Sequence, residues 1–147
     1  MCRKDFNKKT GEFTLIAKSF DAKLIKDYSI LLNNAFSFQF PPPEDLDETI
    51  KYFEHLLTKE YFIDSFTSFW KKNQLIGFYW INENLLDKLV IAPQYQRCGY
   101  GTFLLTHALQ SVFSNGDYEY AHLDCMLQNE RGLRFYNKYG LCKGKIE

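Results

Sequence analysis

The stretch PQYQRCGYG, Pro93 to Gly101, lies between an apolar run, LLDKLVIAP at 85–93, and an amphipathic segment, TFLLTHALQSVF at 102–113. Two glycines one residue apart, just before a helix, mark a place where the main chain comes close to something. A strand, a glycine loop and a helix N-terminus together are a recipe for holding phosphate. Unpaired N–H groups and the positive end of the helix dipole converge on the anion, and missing side chains let it approach. Two nucleotide-binding patterns fail here. The fingerprint G-x-G-x-x-G finds Gly99 and Gly101, but Leu104 stands at its third glycine and an antiparallel meander precedes the loop. A phosphate loop ending in G-K-[ST] has no counterpart. For two glycines alone, a turn without a ligand is the other reading.

Working outward, Phe13 to Phe20 (FTLIAKSF) reads as a strand. Asp21 reads as a helix cap, followed by apolar residues at helical spacing from Leu24 to Phe36. After Pro41-Pro42-Pro43, EDLDETIKYFEHLLTKE forms a second helix with Leu46, Ile50, Phe53 and Leu57 on one face. From Tyr61 the period changes to that of three strands, YFIDSFTSFW, LIGFYWI and LLDKLVIAP, joined by short polar turns into an antiparallel meander. Beyond the glycine loop come a helix, a strand at Tyr120 to Leu127 (YAHLDCML) and a short helix, NERGLRFYNKYG, ended by Gly140. The order is β-α-α-β-β-β-α-β-α, one α+β domain over 1–147.

The 147 residues suffice for a single core, and 18% aromatics promise much ring surface within it. A formal net charge of zero without long single-sign runs gives no reason to expect nucleic acid or an anionic membrane. Arg3-Lys4 and Lys8-Lys9 read as a solvated tail. No apolar stretch is long enough for a membrane span or placed as a signal peptide, so a cytoplasmic protein is expected. The cysteines at 2, 98, 125 and 142 have no metal spacing and read as free thiols, with Cys98 filling a loop.

The residues around the glycines add a second layer. Gln96-Arg97-Cys98-Gly99-Tyr100-Gly101 fits Q/R-x-x-G-x-G/A after a strand ending in Val90-Ile91-Ala92-Pro93. This resembles the acetyl-CoA pyrophosphate loop of GNAT-type N-acetyltransferases. LDCMLQNERGLRFYNKYGL, at 123–141, resembles that family's second signature through Leu123, Asn129, Phe135, Tyr136, Lys138 and Gly140, with Cys125 for Val, Gly132 for Ala and Leu141 for Phe. The resemblance implies the GNAT fold, a mixed and mostly antiparallel sheet flanked by helices. It also implies acetyl-CoA as cosubstrate and no metal. The backbone amides of Arg97, Cys98, Gly99, Tyr100 and Gly101 would then hold the pyrophosphate, with Gln96 in the motif and the Thr102 hydroxyl at the helix start. Arg97 is either a solvated charge or an ion pair with a coenzyme phosphate. Leu89, Val90 and Ile91 lie where the family's splayed fourth strand pairs with the pantetheine arm and offers an N–H to the thioester oxygen. Asn129 reads as a helix N-cap and, by resemblance, a contact to that arm.

The chemistry needs two proton events. An amine must lose a proton before it attacks the thioester, and the departing sulfur must gain one. Tyr136 matches the family's general acid. For the base the candidates are Asp87, Glu83, His122 and a water. Asp87 would share a face with Leu85 and Leu89 on a regular strand. Phe36 to Pro43 (FSFQFPPP) would supply an apolar wall for the acceptor, a small-molecule or peptide amine. GNAT folds continue through further strands, whereas only Leu141 to Glu147 follow the last helix. A shortened C-terminal end is therefore expected, with a homodimer partner able to supply the missing edge. The function read from this is acetyl transfer from acetyl-CoA to an amine in a ternary complex. The alternative is a catalytically degenerate acyl-CoA-binding protein acting as a sensor or structural partner.

Overall fold

A computed structural model describes residues 1, 14–37, 45–125 and 129–141. Its elements are β1 (Ile16–Lys18), α1 (Ile25–Ala35), α2 (Leu46–Leu56), α3 (Glu60–Ser65), β2 (Thr67–Lys71), β3 (Gln74–Asn82), β4 (Leu85–Ile91), α4 (Tyr100–Ser114), β5 (His122–Leu123) and α5 (Glu130–Tyr139). The five strands form one sheet in sequence order. β1 to β4 are antiparallel neighbours, and β5 joins β4 in parallel. This is the GNAT fold that the motif order implies. The expected strand residues Phe13, Met126 and Leu127 lie outside the described residues, as do Cys2, Cys142, Phe38, Phe40, Pro41–Pro43 and the terminal 142–147.

The sheet separates two cores of different character. On one face α1, α2 and α3 pack Tyr28, Phe53, Phe62 and Phe66 against Phe78 and Trp80 of β3 and Val90 of β4. Ring centroids stand 5.1 Å apart for Phe62 and Trp80, edge to face, an arrangement that suits the ring quadrupole. On the other face α4 sets Leu104, Leu105, Leu109 and Val112 against Tyr79, Ile81 and Leu86. Helix starts are chemically marked. The Asp45 carboxylate accepts from the Glu48 amide at 2.9 Å, and Asp47 and Glu48 add negative charge to the first turn of α2. At the far end of α5, Gly140 takes a left-handed φ of 119°, and the Leu141 amide bonds back to the Tyr136 carbonyl at 2.9 Å.

The strands read over Phe13–Phe20 and Tyr120–Leu127 are shorter among the described residues, Ile16–Lys18 and His122–Leu123, and one element changes type. Tyr61 to Phe66, expected as strand, is the helix α3 and its C-cap. Phe62 and Phe66, four residues apart, are both buried in the aromatic core, and that helical spacing outweighs the β propensity of the run. The Ser65 hydroxyl then pins the helix end to β3 by bonding the Ile81 amide and carbonyl at 2.8 and 2.9 Å. In α2 the buried position is Leu56, not Leu57, because the helix ends there and turns into α3. Among the described residues no helix is long and apolar enough to cross a membrane.

Burial holds several phenols above their ordinary pKa, notably Tyr28, Tyr79 and Tyr139. A folded-state pKa raised above the unfolded value means that the unfolded chain loses its protons first as pH rises. The stabilisation is therefore complete below about pH 10, the unfolded phenol value, and is lost above it. Urea unfolding between pH 8 and pH 11 is expected to show a midpoint that falls only at the alkaline end. A flat profile would contradict the burial of these hydroxyls.

Candidate active site

The loop after β4 is shaped to present its amides. The Gln96 side chain donates to the Ile91 carbonyl at 3.1 Å and ties the loop to the strand end. Arg97 takes a left-handed φ of 63° and Gly99 one of 89°, a conformation in which successive N–H groups turn toward one concavity. Gly99 also caps α4 without any side-chain bond. The first backbone bond into the helix runs from the Phe103 amide to the Gly99 carbonyl at 3.2 Å. Among the described residues, the amides of Arg97, Gly99, Gly101 and Thr102 donate to no protein acceptor, while the turn at Gln96–Arg97 draws the Cys98 amide back toward Tyr95. They lie at the N-terminus of a 15-residue helix, where the dipole favours an anion.

The two glycines have different reasons. Gly99 needs its positive φ. A Cβ at Gly101 would stand 3.2 Å from Cζ of Phe135, so this glycine lets α4 pack closely against α5. The ring of Tyr100 is buried against Tyr95, edge to face at 5.9 Å, and its hydroxyl accepts from Lys71 Nζ at 3.4 Å, which anchors the helix start to β2. Arg97 and Cys98 are exposed.

Beside the loop, β4 runs on past its last described partner on one side. β5 pairs with β4 only at Leu85 and Leu86 among the described residues. Ala92 donates its amide to the Ile76 carbonyl of β3. Antiparallel ladders alternate, so Val90 and Lys88 also turn their backbone groups toward β3, whereas Leu89 and Ile91 turn theirs toward the other side. Val90 thus presents neither backbone nor side chain to that side, since its side chain is buried in the aromatic core. Of the three strand residues expected at the coenzyme, Leu89 and Ile91 face it. The Ile91 carbonyl is already held by Gln96.

Tyr136 comes from α5, packed against the same core as Leu89 and Phe135. Burial raises its phenol pKa well above the ordinary value, and the Cys125 thiol nearby adds to the rise. The group is a neutral proton carrier at physiological pH. The Asn129 side chain accepts from the Gly132 amide at 3.0 Å, so it is the α5 cap. A Cβ on residue 132 would stand 2.4 Å from that amide's Nδ2, which accounts for glycine where the family signature has alanine.

Asp87 departs from the regular strand. Lys88 is opposite Trp80 while Leu86 is opposite Ile81, so the register skips Asp87, which is the extra residue of a β-bulge. Its carboxylate accepts from the Trp80 indole at 3.0 Å, on the face of α1 to α3 and not on the face of Leu89. Burial, then the Asp87 charge, raises the pKa of Tyr61 on α3. Glu83 is exposed at the β3–β4 turn with φ 57°. His122 is exposed on β5, its amide bonded to the Asn84 carbonyl at 3.1 Å. Of the candidate bases, Asp87 alone is partly buried and fixed by a hydrogen bond. Trp80, Tyr61 and Lys88 were not legible as neighbours of the site, because a bulge and a short helix put them there.

The acetyltransferase (GNAT) family profile matches residues 29–141. Among solved structures, the chain is similar to the Pyrococcus horikoshii OT3 protein PH1933, at 17% identity, covering 91% of this chain and 92% of that one, with a TM-score of 0.73. It is similar to the PaiA N-acetyltransferase from Thermoplasma acidophilum in complex with coenzyme A, at 17% identity, 92% and 94% coverage and a TM-score of 0.68. An aminoglycoside 6'-N-acetyltransferase from Acinetobacter haemolyticus matches at 16% identity, 90% and 94% coverage and a TM-score of 0.68. At these identities the structures speak for the fold alone.

Proposed function

The chain belongs to the acetyltransferase (GNAT) family, and we propose that it moves an acetyl group from acetyl-CoA to an amine by direct attack in a ternary complex. The observation that carries this reading is the set of loop amides, those of Arg97, Gly99, Gly101 and Thr102, that no acceptor among the described residues occupies. A diphosphate fits them: it is an anion with many acceptor oxygens, and the site offers donors, a helix dipole and no carboxylate. The coenzyme supplies an acetyl group activated as a thioester. That a neighbour of the same fold binds coenzyme A supports the same assignment.

The chain's own residues have three duties. The loop amides and the Thr102 hydroxyl bind the phosphates, and Arg97, exposed at the rim, is free to add a charge-assisted contact. The Leu89 amide, turned away from β3, holds the carbonyl oxygen where negative charge builds. Tyr136 keeps its proton until sulfur departs and then donates it, and Asp87 takes the proton of the incoming amine from the opposite face of the sheet, directly or through water.

Calorimetric titration with acetyl-CoA should give a saturable 1:1 isotherm, and an amine panel should release thiol. An isotherm without thiol release would leave a binding protein. No isotherm at millimolar coenzyme would remove the reading.

A further inference from the structure

The bulge in β4 does more than displace Asp87. With regular alternation, successive residues point to opposite faces. Here Leu86 and Leu89 pack toward α4 and α5, and the two residues between them both turn to the aromatic face. Asp87 reaches the Trp80 indole. Lys88, the cross-strand partner of Trp80, brings its ammonium to 5.5 Å from the ring centre of Phe36 at the end of α1. One backbone irregularity has set a carboxylate and an ammonium side by side on a surface of rings. Tyr52 extends that surface, its ring centroid 6.4 Å from that of Trp80.

These two charges do not satisfy each other. Among the described residues Lys88 makes no ion pair and no hydrogen bond; its recorded contact is the Phe36 ring. One oxygen of Asp87 is engaged by Trp80. Burial lowers the pKa of Lys88, with the Asp87 charge opposing that effect only in part. The half-buried ammonium rests over an aromatic ring and, among the described residues, has no anion of the protein as its hydrogen-bonded partner, so an incoming anion would meet an unneutralised cation there. Tyr61 is a neutral phenol and supplies no anion.

We propose that Lys88 receives a carboxylate of the acceptor, which makes the acceptor an amine bearing a carboxylate one or two carbons from its nitrogen. This rests on the acetyl-transfer reading and narrows it. Asp87 faces the ammonium of such a zwitterion, Lys88 faces its carboxylate, and the apolar remainder lies against the accessible rings of Phe36 and Tyr52. A plain amine leaves Lys88 unanswered. A polycation meets a positive charge on the wall that should attract it.

The test pairs amino acids with their carboxamides. Thiol release would be measured with L-phenylalanine, L-tryptophan, L-leucine and β-alanine, each beside its amide, using wild type, Lys88→Met and Lys88→Arg. At least one acid should exceed its amide by about 10- to 100-fold in kcat/KM, the worth of a charge-assisted bond in a partly buried site. Lys88→Met should abolish that preference, read as the acid-to-amide ratio of kcat/KM, which cancels any effect of the lost charge on Asp87. Lys88→Arg should keep it. Amides as good as their acids, a preference that survives Lys88→Met, or turnover of amides with none of any acid would each overturn the proposal, whereas coenzyme binding with no turnover of any amine would mark failure of the acetyl-transfer reading. Lack of acetyl-CoA binding by wild type, read by calorimetry, would also mark failure of that reading. Melting curves of Lys88→Met settle whether it folds, and replacing a half-buried charge by an apolar chain is not expected to destabilise it.

Discussion

Tyr136→Phe is expected to lower kcat by about 10²- to 10³-fold while leaving acetyl-CoA affinity within about twofold, the pattern of a lost general acid. The substitution removes one oxygen. No hydrogen bond to that hydroxyl is made among the described residues, and the ring stays packed on α5, so thermal stability should barely move. The pH profile carries a second signature. Burial holds the phenol above its ordinary value, with the Cys125 thiol adding to the effect. The neutral, donating form therefore persists to higher pH than a free phenol would allow. In wild type the proton donor should still be competent at about pH 10, where an exposed tyrosine is half ionised. Tyr136→Phe should be slow at every pH, not only on the alkaline side. A variant retaining wild-type kcat would assign the proton to water and remove Tyr136 from the chemistry.

Gly99→Val should weaken acetyl-CoA binding by roughly 10- to 100-fold, the range that 1–3 kcal/mol of backbone strain implies. At φ 89° a β-branched side chain collides with its own backbone, and relief comes from rotating the peptide plane. That rotation turns neighbouring amides out of the concavity. Gly101→Ala is the informative contrast. Its added methyl presses on the Phe135 ring at 3.2 Å, which taxes the contact between α4 and α5 and leaves the amides of Arg97 and Gly99 in place. The first variant should lose affinity at near-normal stability, and the second stability at near-normal affinity. Equal coenzyme affinity in wild type and Gly99→Val would mean that the loop amides do not hold the diphosphate.

Local signals in the chain carried most of the architecture. Apolar runs such as LIGFYWI and LLDKLVIAP bounded by polar turns, cap residues such as Asp21 and Asn129, and the stop at Gly140 each act within a few residues, so they could be read in order. The glycine loop belongs with them, because a left-handed backbone at Gly99 is a property of that residue alone. Tyr61 to Phe66 could not be read this way. Its aromatic run suits a strand by propensity, and only the buried contacts of Phe62 and Phe66 across the sheet decide for helix.

The candidate site divides along the same line. The proposed coenzyme side is a set of amides from one short loop, and neighbouring residues are what a sequence displays. The proposed acceptor side brings together Phe36, Tyr52, Asp87 and Lys88 from α1, α2 and β4 around the buried Trp80, through one skipped pairing in the β3–β4 ladder. Register depends on the sum of many side-chain contacts over both faces of a sheet. No single residue announces where it slips, and so the chain alone displayed the glycine loop, while only the folded sheet set Asp87 and Lys88 on one face.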